Sequence, residues 1–182
     1  MKQRQTRRMI IVGMLSAIAF VLMFLKFPLP FLPPYLTIDF SDIPALIATF
    51  LFGPVAGILV ELIKNLLNFF FNMSDPVGPV ANFLAGCSFL LTSYVIYKKS
   101  HTQRALILGL VVATIVMTMV LSVMNYLVLL PLYGLIMNLT DIVHNLKVII
   151  TAGIIPFNLI KGLLISIIFL LLYPRISKVL KG

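Results

Sequence analysis

The sequence predicts an all-α integral membrane protein with six transmembrane helices and a long external loop between the first two. It reads as one membrane domain over residues 1–182. Three observations predict this class. Hydrophobic residues make up 61% of the chain and charged residues only 10%, against about 25% charged in soluble domains. Uncharged runs cover residues 9–25, 43–60, 76–97 and 105–140, and a membrane helix takes roughly 20 mostly apolar residues. The excess positive charge falls at a few sites: Lys2, Arg4, Arg7 and Arg8, then Lys98, Lys99 and Arg104, then Arg175, Lys178 and Lys181. That is the distribution of positive-inside anchors, and no basic run carries the interleaved aromatics of a nucleic-acid surface.

The first span is expected over residues 9–27, retained rather than cleaved as a leader, because apolar sequence continues past the "SAIAF" stretch. "FPLPFLPPY" places four prolines between Pro28 and Pro34, too many for a helix to continue. Residues 28–41 are therefore a loop. "IPALIATFLF" opens the second span, with Pro44 in its first turn. Gly53 and Pro54 end it and start the third, expected over 55–71. A loop at 72–79 leads to the fourth span, 80–97. The basic turn "KKSHTQR", residues 98–104, precedes a fifth span over 105–130 that is expected to stop near Pro131. A less regular stretch holding Asp141, His144 and Lys147 leads to the sixth, 156–174. An even count puts both termini on one side with the basic turn, and that side is cytoplasmic. The other loops, with Asp39, Asp42, Asp75 and Asp141 in or beside them, then face outward, as suits capture of something from outside.

Polar residues within the spans align on faces. Glu61, Lys64 or Asn65, Asn68 and Asn72 recur every three to four residues on the third span. Thr114, Thr118, Ser122 and Asn125 do so on the fifth, and Asn158 and Lys161 share a face of the sixth. Polar groups at membrane depth turn to the bundle interior and mark ligand paths. Asn125, Asn158, Lys161 and the Asn68 face converge in the outer half of the bundle, under the proline-rich loop. Each has a plainer reading. The hydroxyls satisfy their own helix backbone, the asparagines join helices, and Lys161 snorkels or pairs with Glu61.

Catalytic signatures are absent. The sequence has no P-loop, no G-x-S-x-G, no H-E-x-x-H and no C-x-x-C. His101 and His144 lack ligand partners at metal-binding spacing, so neither a metal nor catalytic residues are expected. Cys87 is the single cysteine and is expected to pack as a small apolar residue.

The ordered set "YLTIDFSDIPALIATFLFGPVAGILVELIKNLL", "MNYLVLLPLY" and "PFNLIKG" resembles the substrate-binding S components of energy-coupling factor vitamin transporters, the riboflavin-specific members most closely. The similarity runs from Met9 to about Pro174. It implies a six-helix protein of the bacterial plasma membrane, with both termini cytoplasmic, whose first external loop closes over the bound vitamin. It implies Asn125, Asn158, Lys161 and Thr37 as ligand partners, and Asn68 and Lys64 join them from the bottom-up face. It implies no cofactor besides the transported riboflavin. The implied partners are a membrane coupling subunit (the T component) and two ATPase subunits, with docking on a small-residue face of the first helix. Gly13 and Ala17 are the nearest match, in place of the family's paired alanines. Two other readings stay open: the same fold specific for another vitamin, and a small intramembrane lipid-modifying enzyme using Glu61 or an external Asp as base.

Overall fold

A computed structural model describes residues 2–32, 36–72, 75–136 and 145–181. Helix α1 is Lys2–Leu22. A short antiparallel ribbon follows, in which β1, Phe27–Pro28, pairs with β2, Thr37–Ile38. Helix α2 spans Asp42–Phe52, α3 Pro54–Phe71, α4 Val77–Lys98 and α5 Gln103–Met124. Helix α5 runs through a π-helical turn, Asn125–Leu129, into α6, Leu130–Ile136. Helix α7, Leu146–Val148, passes through a second π-helical turn, Ile149–Ile154, into α8, Ile155–Lys181.

Local chemistry explains the joints. Gly53 has φ of 91°, in the left-handed region that glycine enters without strain. Pro54 then takes the first position of α3, where its missing N–H costs nothing. The hairpin packs tightly: a Cβ on Gly57 would lie 1.8 Å from Thr49 Oγ1 and 2.8 Å from the Ala45 carbonyl. At the basic turn the Ala105 amide donates to Thr102 Oγ1 at 3.1 Å, capping α5.

The exterior is apolar and the interior partly polar. Ile10, Met14, Ile18 and Val21 are exposed along α1, and Leu108, Val111, Ile115 and Met119 along α5. Glu61, Lys64, Asn65 and Ser93 are buried. With several apolar helices long enough to cross a bilayer, the chain is a multi-pass all-α membrane protein.

Several boundaries differ from expectation. Among the described residues, five helices are long and apolar enough to span: Gln5–Leu22, Pro54–Phe71, Val77–Lys98, Gln103–Ile136 and Leu146–Ile176. Helix α2 has only 11 residues, roughly 16 Å at 1.5 Å per residue, about half the ~30 Å hydrocarbon core. The first helix ends at Leu22 rather than residue 27, and the loop after it contains the ribbon. The fifth helix does not stop at Pro131, and the sixth begins before Pro156. Each proline instead sits second in its helix, directly after a π-helical turn. The Leu130 and Ile155 amides bond five residues back, to Asn125 and Ile150. That widened turn separates the proline ring from the preceding carbonyl it would strike in a regular helix. Asp141 and His144 lie outside the described residues.

Candidate functional site

A cavity of about 500 Å3 lies among α3, α4, α5, α8 and the ribbon. It brings together Thr37, Asn68, Asn125, Asn158 and Lys161, five of the six nominated binding residues. Thr37 comes from β2 and Asn68 from the last turns of α3. Asn125 opens the first π-helical turn, and Asn158 and Lys161 come from the start of α8. The apolar part of the wall includes Met23, Leu36, Ala81, Leu121, Ile154 and Phe157.

Asn125 and Asn158 each spend one amide N–H on their own helix. Asn125 Nδ2 donates to the Leu121 carbonyl and Asn158 Nδ2 to that of Ile154, both at 2.8 Å. Each keeps a second N–H and its Oδ1 for other partners. They are therefore not the interhelical links of the plainer reading. On α5 the hydroxyls behave as that reading expects: Thr114, Thr118 and Ser122 donate to the carbonyls of Leu110, Thr114 and Thr118 at 3.0, 2.8 and 2.7 Å.

Lys64 does not line the cavity. It is fully buried at the centre of an ion-pair cluster. Its Nζ donates to Asp42 Oδ1 and to Ser41 Oγ at 2.8 Å, and lies 3.0 Å from Glu61 Oε1. The approach to Glu61 misses hydrogen-bond geometry, so that contact is an ion pair. Glu61 does not line the cavity either; its carboxylate rests against α4, where a Cβ on Gly86 would come within 2.3 Å of its Cδ.

Lys161 neither snorkels nor pairs with Glu61. Its Nζ lies 3.0 Å from Asp42 Oδ2 and donates to Asn82 Oδ1 at 3.1 Å. A buried ammonium is tolerated when paired and hydrogen-bonded, so this ion pair removes much of the cost of a lysine at that depth.

Sequence reasoning did not nominate Asn82, Asp39, Asp75 and Tyr133, all of which line the cavity. Asn82 is a polar side chain in an apolar span, the criterion that found the other asparagines. Tyr133 on α6 donates its hydroxyl to Asp75 Oδ1, which also accepts from the Gly78 amide at 2.9 Å. This joins the loop before α4 to the far side of the cavity. Asp39 Oδ1 accepts from the Ser41 amide at 2.8 Å. Among the described residues no group of His, Cys, Asp and Glu suits a metal ion. On α1, Gly13 and Ala17 are exposed, and a Cβ on Gly13 would meet nothing within 4 Å.

The family model for the ECF transporter substrate-specific component matches residues 7–173. The chain is 67% identical to the riboflavin transporter RibU of Staphylococcus aureus (strain TCH60), covering 100% of this chain and 96% of the relative. It is 44% identical to the riboflavin transporter FmnP of Bacillus subtilis (strain 168), covering 95% and 93%. A solved structure described as the S component of a bacterial ECF transporter superposes with a TM-score of 0.86 at 64% identity, covering 98% of this chain and 99% of that chain.

Proposed function

The chain belongs to the family of ECF transporter substrate-specific components, and from that premise we propose that it captures riboflavin on the external side of the membrane for ATP-driven uptake. The observation that carries this reading is the convergence of Thr37, Asn68, Asn125, Asn158 and Lys161 on one cavity. Its volume of about 500 Å3 falls within the ~300–1,000 Å3 of small-molecule sites.

A flavin needs two kinds of wall. Its ring edge presents carbonyl acceptors and a ring N–H, and its ribityl chain presents hydroxyls. Asn125 and Asn158 each offer a spare N–H and an Oδ1 side by side, which suits an edge that both accepts and donates. Lys161 has three N–H donors, and Asp42 and Asn82 engage two; the third serves a carbonyl of the ring. Asn68 and Thr37 serve the hydroxylated chain. Leu121, Ile154 and Phe157 supply apolar surface for the ring faces. Lys64 supports the site from below without touching the ligand.

The chain is a binding subunit of a transporter and not an enzyme. It works with an ECF complex, which we read as a T component and two ATPases that perform the hydrolysis. The exposed Gly13 and Ala17 give the T component a small-residue face for close helix approach. The membrane arrangement is a single six-helix domain of the bacterial plasma membrane. Both termini then lie with the basic 98–104 turn in the cytoplasm.

The test is the visible spectrum of detergent-purified protein, followed by riboflavin titration read as fluorescence quenching. Flavin absorbance carried through purification, or saturable quenching, is expected. Colourless protein that leaves riboflavin fluorescence unchanged would remove the riboflavin assignment.

A further inference from the structure

Two buried carboxylates and two buried ammoniums form a chain across the bundle: Glu61, Lys64, Asp42 and Lys161. Its ends differ. Lys64 donates to Ser41 and Asp42, stands 3.0 Å from Glu61 Oε1 and does not line the cavity. Lys161 has two oxygen partners and lines the cavity. The chain is therefore closed at one end and open at the other.

We propose that Asp42 is a positioning residue for the ligand site, its carboxylate orienting the Lys161 ammonium toward the cavity. This rests on the reading above, in which Lys161 contacts the ligand. Asp42 is itself buried and does not line the cavity. As the first residue of α2 it sits at the positive end of a helix, which favours its anionic form. Its two oxygens divide between cations on different helices, Oδ1 to Lys64 on α3 and Oδ2 to Lys161 on α8. Rotation of the carboxylate would break both pairs at once. Lys64 is locked in turn by Glu61, which Gly86 admits against α4 with no room for a side chain at that position.

A free lysine side chain carries much rotamer entropy, lost on binding unless the chain is already fixed. Asp42 removes that cost before the vitamin arrives. Asn82 alone gives one hydrogen bond to a neutral acceptor, and Asp42 adds the attraction of an opposite charge 3.0 Å away.

The test is a double-mutant cycle on riboflavin affinity, measured by fluorescence quenching of purified protein, with thermal unfolding recorded for every variant. Lys161→Met and Asp42→Asn are each expected to weaken binding by about 10- to 100-fold, the range for a lost hydrogen bond to a charged group. Their combination is expected to cost no more than Lys161→Met alone, because Asp42 acts through Lys161. A purely structural Asp42 would give losses that multiply. If wild type fails to bind riboflavin, the function assignment falls and this inference with it. If only Lys161→Met keeps full affinity, the ligand contact falls, and again this inference with it. If Asp42→Asn keeps wild-type affinity, or its loss multiplies with that of Lys161→Met, the positioning role alone is overturned. Should Asp42→Asn not survive purification, Asp42→Glu keeps the charge but advances the carboxylate by one methylene. Reduced affinity that vanishes in the Lys161→Met background then supports the proposal, and unchanged affinity overturns it.

Discussion

Replacing Lys64 with methionine isolates the electrostatics of the buried tetrad, because methionine keeps an unbranched apolar stem and discards the ammonium. Glu61 would lose the cation 3.0 Å from its Oε1, and Asp42 would keep only Lys161 at 3.0 Å. Glu61 and Lys64 are both fully buried, so water cannot replace the missing partner. Removing one member of a buried pair costs about 3–5 kcal/mol, because the remaining charge is uncompensated. At about 2–4 °C per kcal/mol for a chain of this size, the melting midpoint should fall by roughly 6–20 °C. The protein has no tryptophan and one cysteine, so a thiol-reactive fluorophore reporting exposure of the half-buried Cys87 suits the assay. Adding Glu61→Gln to Lys64→Met removes the orphaned charge and should recover part of the loss, by about 0.5–3 kcal/mol of coupling. A midpoint for Lys64→Met within about 2 °C of wild type, or a double variant less stable than the single, would refute the view of these residues as one electrostatic unit.

Other expectations follow from the same contacts. Gly86→Ala would place a Cβ 2.3 Å from the Glu61 carboxyl and should destabilise by about 1–3 kcal/mol; an unchanged midpoint would mean that Glu61 is free to move. Gly13→Ala meets nothing within 4 Å and should stabilise the isolated protein slightly, by up to about 1 kcal/mol from helix entropy. A clear loss there would show that Gly13 packs within its own bundle. Tyr133→Phe deletes the donor to Asp75 Oδ1, a partly buried bond to a carboxylate worth about 1.5–3 kcal/mol, and should speed riboflavin release measured by stopped-flow fluorescence. An unaltered release rate would show that this link does not hold the cavity closed.

The membrane class, the approximate course of the long helices and five of the side chains that line the cavity were legible in the sequence. The reason is periodicity: Asn158 and Lys161 are three residues apart on one helix, and a polar face in an apolar span has only the interior to turn to. Family resemblance, carried by the same residues, gave Thr37 its place. Tertiary structure decided everything that depends on partners distant in the chain. Sequence spacing does not reveal the partner of Lys161, and it points to Glu61 because that is the one carboxylate deep in a predicted span. The partner is Asp42, read from sequence as a loop-edge acid, because α2 begins inside the bundle. Lys64 shares a face with Asn68 in the sequence, yet hydrogen bonds to Ser41 and Asp42 and the ion pair with Glu61 hold it away from the cavity. Pro131 and Pro156 signalled helix ends, since a proline ring clashes with the turn before it. Packing favoured wider turns instead, and those turns carry Asn125 and set the start of α8 beneath Asn158. Local rules fix which residues form a face; only the packed chain fixes which charge stands opposite it.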